Sequence, residues 1–213
     1  MCARPRQNTD LEILAAAFRA IARIGPARLT LADVAEEAGV TAASLVQRFG
    51  SKRDLLLAAA ADVAGGHVYI FQGLRQKHRS PVAALVGLAD CMAVMGTTAD
   101  EVAHSLAFLQ IDLTDPDFLG AARAQSLGMR EGIRALIRDA IAAGEIRKCD
   151  SLRLARVMHA TLNGSLLDWV IHRSDDMAGG IRRDLRAVLG PYRTKKRPSG
   201  YRPFQAHGHR PSR

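Results

Sequence analysis

Between Thr30 and Lys52 the chain reads TLADVAEEAGVTAASLVQRFGSK, and its side chains are of the types that contact nucleic acid. On a short helix beginning near Thr41, Leu45 and Phe49 fall inward, four residues apart. The outward set is then Ala42, Ala43, Ser44, Val46, Gln47 and Arg48. Ala42 and Ala43 allow close approach and offer methyl contact to a thymine, and Gln47 matches the edge of an adenine. Ser44 or Thr41 can bond a phosphate or a base edge, and Thr30 can reach phosphate through its hydroxyl and the helix start behind it. Taken singly, each is equally at home as a solvated residue; the elements that position them carry the argument.

Those elements form a tight helical pair. Thr30 followed by Asp33 predicts a capped helix start, and Leu31, Val34, Ala35 and Ala38 recur on one face. Gly39 stands where a left-handed stop is wanted, and Val40 plugs the turn. Thr41 caps the second helix, Ala35 is small enough for a steep crossing, and Ser51 with Asp54 starts the next helix. The second member, about 41–49, has the length to enter a major groove. The plain alternative is a hairpin that only packs.

The segment LTLADVAEEAGVTAASLVQRFGSKRDLL is similar to the DNA-binding segment of the TetR family of bacterial transcription regulators. The likeness covers about residues 9–65. It implies an all-α homodimer with an N-terminal three-helix helix-turn-helix domain and a larger C-terminal ligand-binding and dimerisation domain. Lys52 matches the family's phosphate-binding lysine. Arg48 falls where the family usually has a His or aromatic backbone contact, with phosphate as its expected partner. The chain departs from the pattern at Val46, where the family usually carries a phosphate-touching Tyr.

The rest of the chain reads as helix. Thr9 and Glu12 make a capping box for a helix over about 10–24 with Leu14, Phe18 and Ile21 inward, closed by Gly25-Pro26. A fourth helix runs from Lys52 to about Gly73, with Gly65-Gly66 as a possible bend and a basic loop over 76–79. Ser80-Pro81 and Asp115-Pro116 are cap-proline starts. They open helix five, to about Met95, and helix seven, to about Ala143. Helix six spans about 98–113, helix eight about 152–172, and Gly179-Gly180 precedes a ninth over 181–189. The expected organisation is a flexible basic arm (1–8), the helix-turn-helix domain (9–52, with helix four linking), a ligand-binding and dimerisation domain (53–190) and a disordered basic tail (191–213). Seven of the nine net positive charges lie in that tail, leaving the body near +2, so bulk basicity is no argument for DNA.

By the same resemblance, an effector pocket lies within helices five to eight, closed by helix four. Its candidates are Met92, Met95, Phe108, Phe118, Met129, Met158 and Trp169, with Gln110, Asp112, His159 and Asn163 as polar markers. Such residues at helical spacing are more often plain core. The set fits a largely apolar small molecule. The dimer surface is expected on helices eight and nine, through Leu162, Leu166, Trp169, Leu185 and Val188, with intrachain core as the even alternative.

Phosphate-binding and dinucleotide loops and HExxH are absent from the sequence, and Cys2, Cys91 and Cys149 are too far apart for a zinc site. No cofactor or metal is expected, beyond weak binding at His207 and His209. No apolar run of about 18 residues suggests a membrane span, and the start lacks a signal peptide, so a cytoplasmic location is expected. The expected function is a non-enzymatic DNA-binding regulator, a repressor that a small molecule releases from a palindromic operator. The alternatives are a small helical ligand-binding protein or enzyme, and a non-specific DNA-binding protein using the tail.

Overall fold

The computed structural model describes residues 8–173 and 175–194, with backbone only at Asp112. The arm before Asn8 and the tail from Lys195, with His207 and His209, lie outside the described residues. Nine α-helices make up the described fold: α1 (Asp10–Ile24), α2 (Leu31–Ala38), α3 (Ala42–Phe49), α4 (Lys52–Lys77), α5 (Pro81–Cys91), α6 (Ala99–Thr114), α7 (Pro116–Ala142), α8 (Ser151–His172) and α9 (Met177–Leu189). One cluster of buried side chains joins α1, α2, α3 and the start of α4; a second joins the rest of α4 with α5–α9. The fold is all-α, with an N-terminal helix-turn-helix.

The helix starts follow the capping chemistry. The hydroxyls of Thr9, Thr30 and Thr98 each accept the N3 backbone N–H and their own backbone N–H groups donate to the N3 acid in return, closing capping boxes with Glu12, Asp33 and Glu101. Ser51 and Ser80 cap α4 and α5, and Asp150 caps α8.

Four boundaries differ from the sequence expectation. α4 continues through the expected basic loop to Lys77, because Phe71 and Leu74 remain buried and Arg75 pairs with Asp139 at 3.0 Å. It also runs unbroken through Gly65-Gly66. α5 ends at Cys91, and Met92–Met95 tighten into a 3-10 turn. That turn stops at Gly96 (φ 145°), where a Cβ would lie 2.6 Å from that of Glu101. α9 begins at Met177 instead of Ile181, since Asp176 caps it by accepting the Gly179 N–H; a Cβ at Gly179 would collide with that carboxylate. Finally, residues 190–194 are tied down, not part of a free tail. The Arg147 N–H donates to the Tyr192 carbonyl at 2.8 Å, and the Thr194 N–H to that of Glu145 at 3.1 Å.

By length and composition α4 could cross a membrane, with a window of mean hydropathy 1.3. Alanines raise that mean without a continuous long apolar run, and the helix packs against α7 and α1.

The α6–α7 corner joins the N-terminal head to the remaining helices. Phe108 and Phe118 belong to the head cluster, stacked edge-on with Phe18 in a ladder of 6.0 Å steps. Arg53 at the start of α4 reaches Asp115 at 2.9 Å and Asp117 at 2.7 Å and lies 5.6 Å from the centre of the Phe118 ring. The Arg53 hydrogen bond holds the Asp115 carboxyl below its usual range, and Asp117 and Asp115 raise the guanidinium. A carboxyl depressed in the folded state contributes stability above its unfolded pKa and loses it as pH falls through the folded value. Asp115→Asn, which keeps the cap on α7, should therefore lower Tm at pH 7, and the difference should shrink in acid as the pH falls through the folded value. Arg53 and Asp117 are exposed and Asp115 is half-buried, so the effect is small; thermal melts at pH 7 and in acid check it.

Candidate nucleic-acid interface

The turn between α2 and α3 is built as its residue types require. Gly39 takes φ 66°, a left-handed conformation, and its N–H and that of Val40 close the end of α2 on Glu36 and Ala35. The Asn8 amide also donates to the Ala38 carbonyl at that end. Thr41 accepts the Ser44 N–H at 3.1 Å, starting α3. Leu45 is the one fully buried side chain of α3, and Phe49 is half-buried on the same cluster.

Ala43, Val46 and Gln47 are exposed on α3, with Thr41 at its start. Ser44 is half-covered. Ala42 turns partly into the head cluster, so it is less available than its outward placement suggested. Arg48 is also differently employed. Its Nε donates to Asp10 at 2.9 Å and its Nη1 to the Asn8 carbonyl at 2.7 Å, a clamp from α3 to the start of α1. Its charge is already matched before any phosphate arrives. Helical spacing placed Arg48 outward correctly; the partner, 38 residues away, left no trace in it.

Lys52 is half-buried at the start of α4, with its amine donating to the Pro26 carbonyl at 3.3 Å. Thr30 is exposed, and its hydroxyl is engaged with Asp33, whose carboxyl is held low by the side-chain and backbone hydrogen bonds of Thr30. The head thus offers a short, small-residue helix face flanked by a threonine cap and a lysine. That geometry suits a major groove.

Residues 13–59 match the family model described as bacterial regulatory proteins, tetR family. The N-terminal head is a TetR-family DNA-binding segment. It is 26% identical over 188 residues to the HTH-type transcriptional regulator TtgR of Pseudomonas putida, covering 83% of this chain and 88% of that one. The fold resembles that of a putative transcriptional regulator from Saccharomonospora viridis in complex with choline (TM-score 0.69, 22% identity, 85% of this chain and 95% of that one). It also resembles the transcriptional regulator FadR from Bacillus subtilis in complex with stearoyl-CoA (TM-score 0.64, 17% identity, 85% and 98%). Regulators of this family bind DNA, and the family is one of transcription regulators rather than enzymes.

In this chain the residues expected around a pocket are divided. Met129 and Met158 are buried in the C-terminal cluster, with Met92, Met95 and Trp169 half-buried against it. Phe108 and Phe118 instead fill the head cluster, 6.0 Å apart, because the α6–α7 corner folds over α1. Gln110 and Asn163 are exposed, and the Asp112 side chain lies outside the described residues. His159 is half-buried, and burial, then the charge of Arg130, push its imidazolium below the usual range.

Two hollows are present elsewhere. An open cleft of about 520 Å³ lies between Gly25–Arg28 and α6, at Asp100, Ala103, His104 and Ala107. A smaller hollow of about 160 Å³ between α8 and α9 includes Trp169.

The residues expected at a dimer surface are mostly occupied within the chain. Leu162, Leu166 and Leu185 are buried where α8 and α9 pack, and Trp169 and Val188 are half-buried there. Spacing identified their common face but not what covers it. Cys91 and Cys149 are half-buried, and burial raises both thiols, so neither is a thiolate at neutral pH; Cys2 lies outside the described residues.

Proposed function

We propose that the chain is a dimeric repressor that binds a palindromic operator through α3 and is released from it by a small molecule bound among α4–α8. The observation that carries this reading is α3 itself. It is anchored by Leu45 alone as a fully buried side chain, and it leaves Ala43, Val46 and Gln47 free beside Thr41. Gln47 reads a base edge, Thr41 and Lys52 bind backbone, and Arg48 holds α3 in place. Residues 9–52 form the DNA-binding domain and 53–190 the effector and dimer domain, working in the cytoplasm.

One head reads only a few base pairs, so a two-fold dimer is needed for a long site. A second face of α8 suits that role better than the buried leucines. Val157, Leu167 and Ile171 are exposed, with Ala160 and Gly164 between them at spacings of three and four residues. That is a continuous apolar stripe with a small centre, ready for a helix from a second copy. The relatives bind ligands as unlike as choline and stearoyl-CoA. The likeness to these regulators therefore supports an effector without choosing it. The effector acts through its difference in affinity for the DNA-bound and released forms; a coupling of about 1–3 kcal/mol corresponds to about 5–150-fold in operator affinity.

The test is selection of the purified protein on random DNA duplexes at about 150 mM salt, where backbone attraction is screened toward physiological strength. A palindrome should be enriched, and Gln47→Ala with Lys52→Ala should lose it by at least about tenfold, in line with one base contact and one phosphate contact. Removing residues 195–213 should leave the enriched sequence unchanged. Retention without any enriched sequence would refute the specific reading and favour non-specific binding through the tail.

A further inference from the structure

Arg130 and Arg134 lie one turn apart on α7 and share a face of that helix. The Nε–H groups of both are buried, and neither has an acceptor among the described residues. Arg134 has partial relief from Glu131, 3.3 Å from its Nη1, although Glu131 is shared with Arg138 at 3.1 Å. Arg130 has no ion pair among the described residues. Facing it from α8 is His159, close enough to feel its charge. Asn163 sits one turn further along α8, its amide 3.5 Å from His159 Nε2.

A buried donor without an acceptor is destabilising, more so on a charged group, and folded proteins leave few. Here two occur on one face of one helix, both on cations. The groups opposite are a histidine kept neutral by burial and by Arg130, and an amide. Both can donate a hydrogen bond, and neither brings a negative charge. The missing partner is thus an acceptor, and a guanidinium fork matches carboxylate and phosphate oxygens in particular.

We propose that the half-buried arginine face of α7 at Arg130 and Arg134, with His159 and Asn163 of α8, binds the anionic group of the effector, which is an organic carboxylate or phosphate ester. This rests on the release mechanism above and names the chemistry of its ligand. The apolar part of such a ligand lies along the neighbouring helices, and the charged end is fixed by Arg130.

Thermal melts and titration calorimetry on the full chain test this with four probes: octanoate, octyl phosphate, inorganic phosphate and octyltrimethylammonium. Octanoate or octyl phosphate should raise Tm, and Arg130→Met should weaken that binding by at least about tenfold, the loss of one charge-assisted contact. Without ligand, Arg130→Met should melt at or above the wild-type temperature, because an unpaired cation has gone; a purely structural Arg130 would give a lower Tm. Inorganic phosphate matching the octyl anions would show an inorganic-ion site and overturn the organic-effector assignment. The proposal also fails if no anion shifts Tm, if the shift survives Arg130→Met, or if the cationic probe acts equally. Release of a selected DNA duplex is read separately. Arg130-dependent anion binding without release would support the site and refute the release mechanism.

Discussion

Leu45→Ala should destroy DNA binding by loosening the head, without touching a DNA contact. Leu45 is 0% exposed and is the single fully buried residue of α3, an eight-residue helix too short to be stable alone. Removing a buried leucine costs about 2–5 kcal/mol, including the cavity left behind. That is a large part of the roughly 5–15 kcal/mol that separates folded from unfolded domains. The same helix carries Val46, which is 49% exposed. Val46→Ala should leave the melting curve within about 0.5 kcal/mol of wild type, as surface changes do, while altering retention on the selected duplex. The pair therefore separates packing from contact. Circular dichroism melts and duplex retention, measured on both variants, check it. A Leu45→Ala protein that melts like wild type would mean that α3 is not held by this side chain, and the account of the head would fail.

The contrast between Leu45 and Arg48 shows what the sequence made legible. Local chemistry was readable: Thr9, Thr30, Ser51 and Thr98, each with an acid three residues on, became caps, and Gly39 took the left-handed turn its position required. Periodicity was readable too, so Leu45 and Phe49 were placed inward and Val46 and Gln47 outward. What periodicity lacks is the identity of the neighbour. Arg48 looks like a free cation until Asp10 and the Asn8 carbonyl are brought to it by α1. Phe108 and Phe118 look like pocket lining until the α6–α7 corner lays them on Phe18. On α8 the apolar residues are spread over two faces. Leu162 and Leu166 are closed by α9, whereas Leu167 and Ile171 have no intrachain cover sufficient to bury them. Spacing alone gives these two stripes equal standing. The glycines inside helices were the least legible feature, because a glycine in a helix is read as a weak point unless the opposing side chain is known.

Gly132→Ala is the sharpest case of that last kind. Alanine favours a helix interior over glycine by about 0.8–1.0 kcal/mol, so sequence reasoning alone expects stabilisation. At Gly132, however, a Cβ would stand 2.0 Å from Cε2 and 2.2 Å from Cδ2 of the Phe71 ring on α4. One turn earlier, a Cβ at Gly128 would stand 2.5 Å from the His67 ring. The two rings of α4 are seated on bare backbone of α7, and this is how the longest helices of the fold lie so close. Phe71 is 4% exposed, enclosed in the C-terminal core cluster. Overpacking costs typically about 1–3 kcal/mol, and the overlap here is deep enough to place Gly132→Ala at the upper end, outweighing the helix gain. For a chain of this size Tm should fall by about 2–4 °C per kcal/mol. Gly65→Ala is the control, on α4 with nothing within 4 Å of its Cβ; it should raise Tm by about the helix-propensity gain. Adding Phe71→Leu to Gly132→Ala should recover part of the loss, since the smaller side chain makes room for the new methyl, and the double-mutant cycle measures the coupling directly. Equal Tm changes for Gly132→Ala and Gly65→Ala would show that α7 does not hold α4 by this contact. The consequence reaches the head, because α4 begins at Lys52 beside α3 and any outward shift at Phe71 moves the far end of the helix on which the head is mounted. Gly132→Ala should therefore weaken retention on the selected duplex, although it lies 83 residues beyond the end of α3 at Phe49.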